Sequence, residues 1–142
     1  QIRPAGYFNV KAKRLKNFTA HLFENHDGSL SRLLQRREQP ALRAELLSIS
    51  GIGPETADSI LLYAGGHPEF VVDAYTKRIA VRHGLAKENV SYDELKSLFT
   101  ENLRLDERVF NEYHALIVKT GKDFCRTKNP LCESCPLKKF LD

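Results

Sequence analysis

The chain lacks any apolar run approaching the roughly 20 residues of a membrane-spanning helix, and no signal peptide is recognisable near its start. No membrane-spanning helix is expected within these residues. Cysteine is scarce. Three is an odd number, so a closed disulfide framework is not expected and the cytoplasm is the natural compartment. Methionine is absent and the chain starts at Gln1, which reads as a fragment whose upstream helices are missing. Internal repeats, low-complexity tracts and the alternating pattern of a β-sheet are also wanting. What is present is 142 residues, 42% hydrophobic and 28% charged, enough for one soluble domain with a real core. A net charge of +4 suits a nucleic-acid partner without requiring one.

Helical periodicity dominates, and the expected fold class is all-α. Leu15, Phe18, Leu22 and Phe23 mark the inner face of a helix over Asn9–Asn25, closed by Gly28. Its first half carries Lys11, Lys13, Arg14 and Lys16, either a solvated face or one beside a phosphate. A short helix over Ser29–Arg37 turns Leu30, Leu33 and Leu34 inward, and Glu38-Gln39-Pro40 breaks it. Further on, Ser91-Tyr92-Asp93-Glu94 is a capping box opening a helix to about Asn102. Asp106 opens another to Thr120, with Val109, Tyr113, Leu116 and Ile117 inward and Gly121 as its stop.

The organising stretch is Leu47–Tyr75. Leu42–Ser48 reads as helix, Gly51-Ile52-Gly53 as a tight turn, and Pro54–Ala64 as a second helix, with Ala57, Ile60 and Leu61 as its buried stripe. Two glycines permit φ > 0 and close backbone approach, and Pro54 suits the first helical position, where no N–H is needed. N–H groups at that helix start point outward and favour an anion, for which a DNA phosphate is the obvious choice. This is a helix-hairpin-helix pattern. Twenty residues after Gly53, Asp73 stands as the N-cap of a helix over Ala74–His83 stopped by Gly84, preceded by an extended Glu69–Val72. Near the C-terminus lies Cys125-x6-Cys132-x2-Cys135.

Taken together, Ile49-Ser50-Gly51-Ile52-Gly53-Pro54-Glu55-Thr56-Ala57, Val72-Asp73 and the three cysteines resemble the endonuclease III branch of the helix-hairpin-helix (HhH-GPD) DNA glycosylases. The resemblance covers essentially the whole chain. It implies a helical glycosylase core over residues 1–121, with the hairpin at about 42–64, and a C-terminal cysteine loop over 122–142. It also implies that Gly51, Ile52 and Gly53 present amides to DNA, and that Lys11 lies near it. In Ile2-Arg3-Pro4-Ala5-Gly6-Tyr7-Phe8 the resemblance makes Tyr7 a wedge filling the gap left by a flipped base. The bland alternative is that Tyr7 and Phe8 pack under the following helix.

Asp73 matches the family's catalytic aspartate. A carboxylate there would stabilise the oxocarbenium-like state and orient or deprotonate a water. Glu55 is a departure, because bifunctional relatives carry at that position a lysine that forms a Schiff base with the sugar, and a carboxylate cannot form an imine. Lys77, four residues past Asp73, is an alternative amine, but a lone helical lysine is ordinarily solvated. Glu55 either faces the pocket or simply complements the helix dipole. Cys125, Cys132 and Cys135 reproduce three of four ligands of a [4Fe–4S] loop, and Leu141 occupies the place of the fourth. Asp142 as an oxygen ligand, a cysteine beyond the end, zinc, or no cluster are the alternatives. The loop's Lys122, Arg126, Lys128, Lys138 and Lys139 can meet phosphates.

The expectation is a monomeric, monofunctional glycosylase acting on double-stranded DNA with a damaged base. By resemblance the base is an alkylated purine such as 3-methyladenine, a cation that is already a good leaving group and suits aromatic stacking. An endonuclease III-type glycosylase/lyase for oxidised pyrimidines is the rival. Alternatives of other classes are a non-catalytic DNA-binding module and a small metal-binding scaffold.

Overall fold

The computed structural model describes Pro4, residues 6–35 and residues 38–141. Expectations placed on Ile2, Arg3, Ala5, Arg36, Arg37 and Asp142 lie outside the described residues. Those residues form an all-helical protein with no strand among them. The helices are α1 (Phe8–His26), α2 (Leu30–Leu34), α3 (Gln39–Ser48), α4 (Pro54–Tyr63), α5 (Ala74–Arg82), α6 (Tyr92–Thr100) and α7 (Glu107–Asp123). Two short 3-10 turns follow, at Cys132–Ser134 and Lys138–Phe140. The chain divides into two compact units, residues 1–67 and 68–142.

The first unit is built on leucine. Leu22, Leu33, Leu42, Leu46, Ile49, Ala57 and Leu61 form one buried cluster, with Phe18, Leu34, Leu47, Ile52 and Ile60 packed against it. Burying each leucine is worth about 1.5–3 kcal/mol, so this cluster is what holds α3 and α4 together. Helix α2 ends at Leu34, before the expected break, and Gln39 and Pro40 already belong to α3, because proline is tolerated in a helix's first turn. Leu15, Phe23 and Leu30 depart from the expected inner faces and are exposed. For Phe23 the reason is local: its ring lies over Gly28, where a Cβ would come within 2.7 Å of it.

Across α3 and α4 runs a buried ion pair. Asp58 is 0% exposed, and its two carboxylate oxygens accept from Arg43 Nε at 2.6 Å and Nη2 at 3.3 Å. A buried carboxylate without such a fork would be costly.

The second unit has an aromatic centre. Phe70, fully buried in the extended segment before α5, stacks on Phe99 at 4.3 Å and meets Phe110 edge-on at 5.4 Å. Glu69, buried beside it, pairs with Lys96. Helix α6 opens with the expected capping box, in which Ser91 and Glu94 exchange hydrogen bonds.

Helix α7 runs through Gly121 to Asp123, so this glycine is not a stop. It is buried in the helix because Tyr75 of α5 packs on it, and a Cβ there would sit 2.4 Å from Tyr75 Cδ1. The inner stripe of α7 includes Phe110, Ile117 and Gly121. Tyr113 and Leu116 instead line an open groove of about 480 Å³ with Ile79 and Phe140.

Candidate functional site

In the first unit the hairpin spans Ile49 to Pro54. Gly51 has φ 102, a conformation that disfavours a side chain, and Arg14 of α1 lies against it so closely that a Cβ would fall 2.5 Å from Arg14 Cγ. Gly53 is different. Its φ is −96, open to any residue, and nothing stands within 4 Å of where a Cβ would be. The expectation that both glycines exploit φ > 0 therefore holds for Gly51 only. What the bare Gly53 provides is open space in front of the α4 N-terminus.

The three hairpin amides are not equivalent. Ile52 N–H donates to Ile49 C=O at 2.9 Å, closing the turn, and its side chain packs part-buried on the leucine core. Gly51 and Gly53 N–H make no such internal bond among the described residues. Behind Gly53, the first intrahelical bond is Ala57 N–H to Gly53 C=O, so the Glu55 and Thr56 amides lie in the helix's first turn, ahead of that bond. Asn17 Nδ2 of α1 donates to Ser50 C=O at 2.8 Å and braces the turn.

Tyr7 is the N-cap of α1, in the left-handed region at φ 46, and is 88% exposed. Phe8 beside it is also exposed, so neither packs under the helix. Lys11 lies one turn further on, its N–H bonded to Tyr7 C=O at 3.1 Å. Glu55 is exposed in the first turn of α4, an acidic residue where the helix dipole favours one.

In the second unit Asp73 caps α5. Its Oδ1 accepts from Thr76 N–H at 2.7 Å and from Thr76 Oγ1 at 2.9 Å, and its Oδ2 faces His114 Nε2 of α7 at 3.5 Å. Both Asp73 and His114 side chains are 12% exposed. Burial pushes the Asp73 carboxyl up. The His114 hydrogen bond, the Thr76 backbone and hydroxyl bonds and the His114 charge together outweigh it, and the pKa lies below the ordinary 3.8. The carboxylate is therefore held ionised in a mostly water-excluded site. Lys77, on the same helix, donates to Val90 C=O at 3.2 Å.

The far end of α5 grips the cysteine loop. Arg78 donates to Cys125 C=O at 2.7 Å and Gly121 C=O at 2.9 Å, while its guanidinium sits 5.0 Å over the Tyr75 ring. Arg82, one turn on, donates to Arg126 C=O at 2.7 Å and to Cys125 Sγ at 3.3 Å. Cys132 and Cys135 are joined through a 3-10 turn, Cys135 N–H to Cys132 C=O at 3.1 Å. All three cysteines are free thiols. A guanidinium donor on Cys125 sulfur suits a thiolate ligand, and the donor set fits a thiolate-held group at three of its four corners. Position 141 is an exposed leucine and offers no donor.

His114 escaped the sequence reading, and a signal for it existed. Phe110, His114, Ile117 and Gly121 recur at helical spacing on the inner face of α7, and a histidine on a buried face demands a polar partner. Arg78 and Arg82 stand at i and i+4, but nothing in the sequence names the loop carbonyls they hold. Asn17 gave no signal at all.

A family model described as a helix-hairpin-helix motif matches residues 35–63. Among similar proteins is one of Methanocaldococcus jannaschii bearing the provisional name of a DNA repair glycosylase, 53% identical over 98% of this chain and 63% of its own length. Endonuclease III of Sulfolobus acidocaldarius is 30% identical over 98% of this chain and 59% of its own length. Among solved structures, a non-covalent endonuclease III–DNA complex aligns with TM-score 0.80 at 25% identity, covering 99% of this chain and 60% of that one. The Helicobacter pylori 3-methyladenine DNA glycosylase bound to 1,N6-ethenoadenine aligns with TM-score 0.71 at 29% identity, covering 85% of this chain and 60% of that one. This chain thus spans about six tenths of the length of each of these relatives.

Proposed function

We propose that the protein, which is similar to the endonuclease III-like helix-hairpin-helix DNA glycosylases, is a monofunctional DNA N-glycosylase of base-excision repair. The observation that carries this is Asp73. It is a carboxylate kept ionised in a mostly buried site at the start of α5, in a chain that also carries an amide-presenting hairpin. Cleaving an N-glycosidic bond builds positive charge on the sugar. An ionised carboxylate stabilises that charge and orients the attacking water, and its low pKa keeps it ready at neutral pH.

In this reading the Gly51 and Gly53 amides and the α4 N-terminus take a backbone phosphate, a role the open space before Gly53 supports. The Ile52 amide is engaged within the turn, so Ile52 serves by anchoring the hairpin to its core. Lys11 adds positive charge on the helix that braces the hairpin. Tyr7, exposed at the head of α1, is the wedge that fills the space of the flipped base. Cys125, Cys132 and Cys135 would hold a [4Fe–4S] cluster, whose contribution is to order a lysine-rich loop rather than to enter the reaction.

Glu55 supports the absence of lyase chemistry, because no amine stands at the first turn of α4 to attack the sugar. The favoured substrate is an alkylated purine such as 3-methyladenine, in keeping with the likeness to the Helicobacter pylori enzyme. The second reading, a glycosylase/lyase for oxidised pyrimidines, draws on the likeness to endonuclease III.

The deciding experiment is excision by the full-length protein on duplexes carrying 3-methyladenine or an oxidised pyrimidine, with and without alkali and with borohydride trapping. The expected result is strand breakage of the 3-methyladenine duplex only after alkali, and no trapped adduct. Asp73→Asn keeps a good N-cap and should leave the fold intact while lowering the rate by about 10²–10⁴-fold. A borohydride-trapped complex would overturn the monofunctional reading.

A further inference from the structure

The end of α1 and the middle of α3 bring together three side chains that the hairpin, the wedge and the carboxylate leave unused. His21 and His26 of α1 and Glu45 of α3 place one ligand atom each within 4.8 Å of one another. They converge on a single atom: Glu45 Oε1 lies 2.8 Å from His21 Nε2 and 2.6 Å from His26 Nε2. All three are mostly withdrawn from water, with side-chain exposures of 20%, 7% and 11% for His21, His26 and Glu45. We propose that His21, His26 and Glu45 bind one divalent transition-metal ion of the zinc class, clipping α1 to α3 behind the hairpin.

Two imidazole N–H groups hydrogen-bonding a carboxylate have two oxygens to share. Here both ring nitrogens approach the same oxygen, which gathers the three ligand atoms into one close group. The donors are chemically matched to the ion as well. Two imidazoles and one carboxylate are a zinc ligand set that leaves a fourth, open position for water, and the part-exposed edge at His21 lets water reach it.

Around zinc, with bonds near 2.0–2.1 Å, tetrahedral ligand atoms stand about 3.4 Å apart. Each ring nitrogen needs to move away from Glu45 Oε1 by less than about 1 Å, within reach of small side-chain rotations.

The site does not depend on the reaction proposed above. Its consequence is mechanical: α1 also carries Arg14 and Asn17, which lean on Gly51 and Ser50. A metal at the other end of α1 would fix the helix that braces the turn.

The test is metal binding by the full-length protein stripped with a chelator. Zn²⁺ affinity is measured by competition with a chromophoric chelator, and geometry by the Co²⁺ difference spectrum. With the cysteine loop disabled by Cys132→Ser, one equivalent of Co²⁺ should bind with tetrahedral d–d bands and no sulfur-to-cobalt charge transfer. Glu45→Gln and, separately, the more exposed His21→Gln should each weaken Zn²⁺ by more than about 100-fold, beyond the 10–100-fold that loss of an outer partner costs. Cys132→Ser should leave binding at this site unchanged. Zn²⁺ should raise the thermal midpoint of the wild type but not of either variant. The proposal is overturned by any of three results: no stoichiometric Zn²⁺ uptake by Cys132→Ser, a cobalt spectrum of Cys132→Ser without tetrahedral d–d bands, or Zn²⁺ affinity in that background unmoved by Glu45→Gln.

Discussion

The two units hold their candidate sites with different materials. In residues 1–67 the exposed groups are main-chain amides at Gly51 and Gly53, and side chains serve as scaffold: a leucine cluster, the Arg43–Asp58 fork, and Asn17 and Arg14 against the turn. In residues 68–142 the group is a side chain, Asp73, which Thr76 holds by hydrogen bonds and His114 faces at 3.5 Å. A site made of backbone has no functional group to delete, so only lesions in its support or its open space can disable it. A carboxylate can be retuned without moving a helix. Damage to the first unit should therefore be read in stability and binding, and damage around Asp73 in pH dependence and rate.

The largest effect that would test this contrast is on the hairpin's frame. Arg43→Met leaves the fully buried Asp58 carboxylate without its fork, and unfolding free energy should fall by about 3 kcal/mol or more. Denaturant titration of the full-length protein measures this directly. The matching pair in the second unit is Lys119–Asp123, an i,i+4 contact with Lys119 72% exposed. Lys119→Ala should cost no more than about 0.5 kcal/mol. Equal losses in the two variants would erase the distinction between a frame and a surface.

Smaller, and sharper, is the comparison of the two hairpin glycines. Gly51→Ala meets a positive φ and the stem of Arg14, and should cost about 1–3 kcal/mol. Gly53→Ala meets neither, and its stability should change by less than about 1 kcal/mol. Its methyl group would enter the space before the α4 amides, so duplex binding should weaken, with a smaller dependence on salt. If Gly53→Ala binds duplex DNA as well as the wild type, the phosphate does not sit where the hairpin reading places it.

Main-chain features were legible in the sequence because they need particular residues. Gly51, Pro54 and the Ser91–Glu94 box each have few substitutes, and all three stand where the residues indicated. Periodicity placed most helices, yet it misjudged Leu15, Phe23 and Leu30, since a helical stripe does not say how much protein faces it. Gly121 was misread for a related reason. A glycine that ends a helix and one that admits Tyr75 look alike until the neighbour is seen. The side-chain partners were hardest. His114 lies 41 residues from Asp73 in the chain, Arg82 43 residues from Cys125, and Glu45 19 from His26. Such pairs exist only once helices have packed, and one sequence carries no record of which helix faces which.

His114 offers the finest test of the second unit. His114→Leu keeps roughly the same volume and removes the donor facing Asp73 Oδ2. Burial of the carboxyl would remain while its strongest lowering contribution is gone, so the Asp73 pKa should rise. The acid limb of the excision rate should then move to higher pH. At neutral pH the rate should fall less than about tenfold, against about 10²–10⁴-fold for losing the carboxylate itself. The sign for stability follows from linkage. A carboxyl with a depressed folded pKa stabilises the protein above its unfolded pKa, near the ordinary 3.8, and loses that contribution as pH falls through the lower folded value. The stability gap between wild type and His114→Leu should accordingly be widest above pH 3.8 and narrow below it. A gap that is constant with pH would mean that His114 merely fills space beside α5, and that Thr76 alone keeps Asp73 ionised.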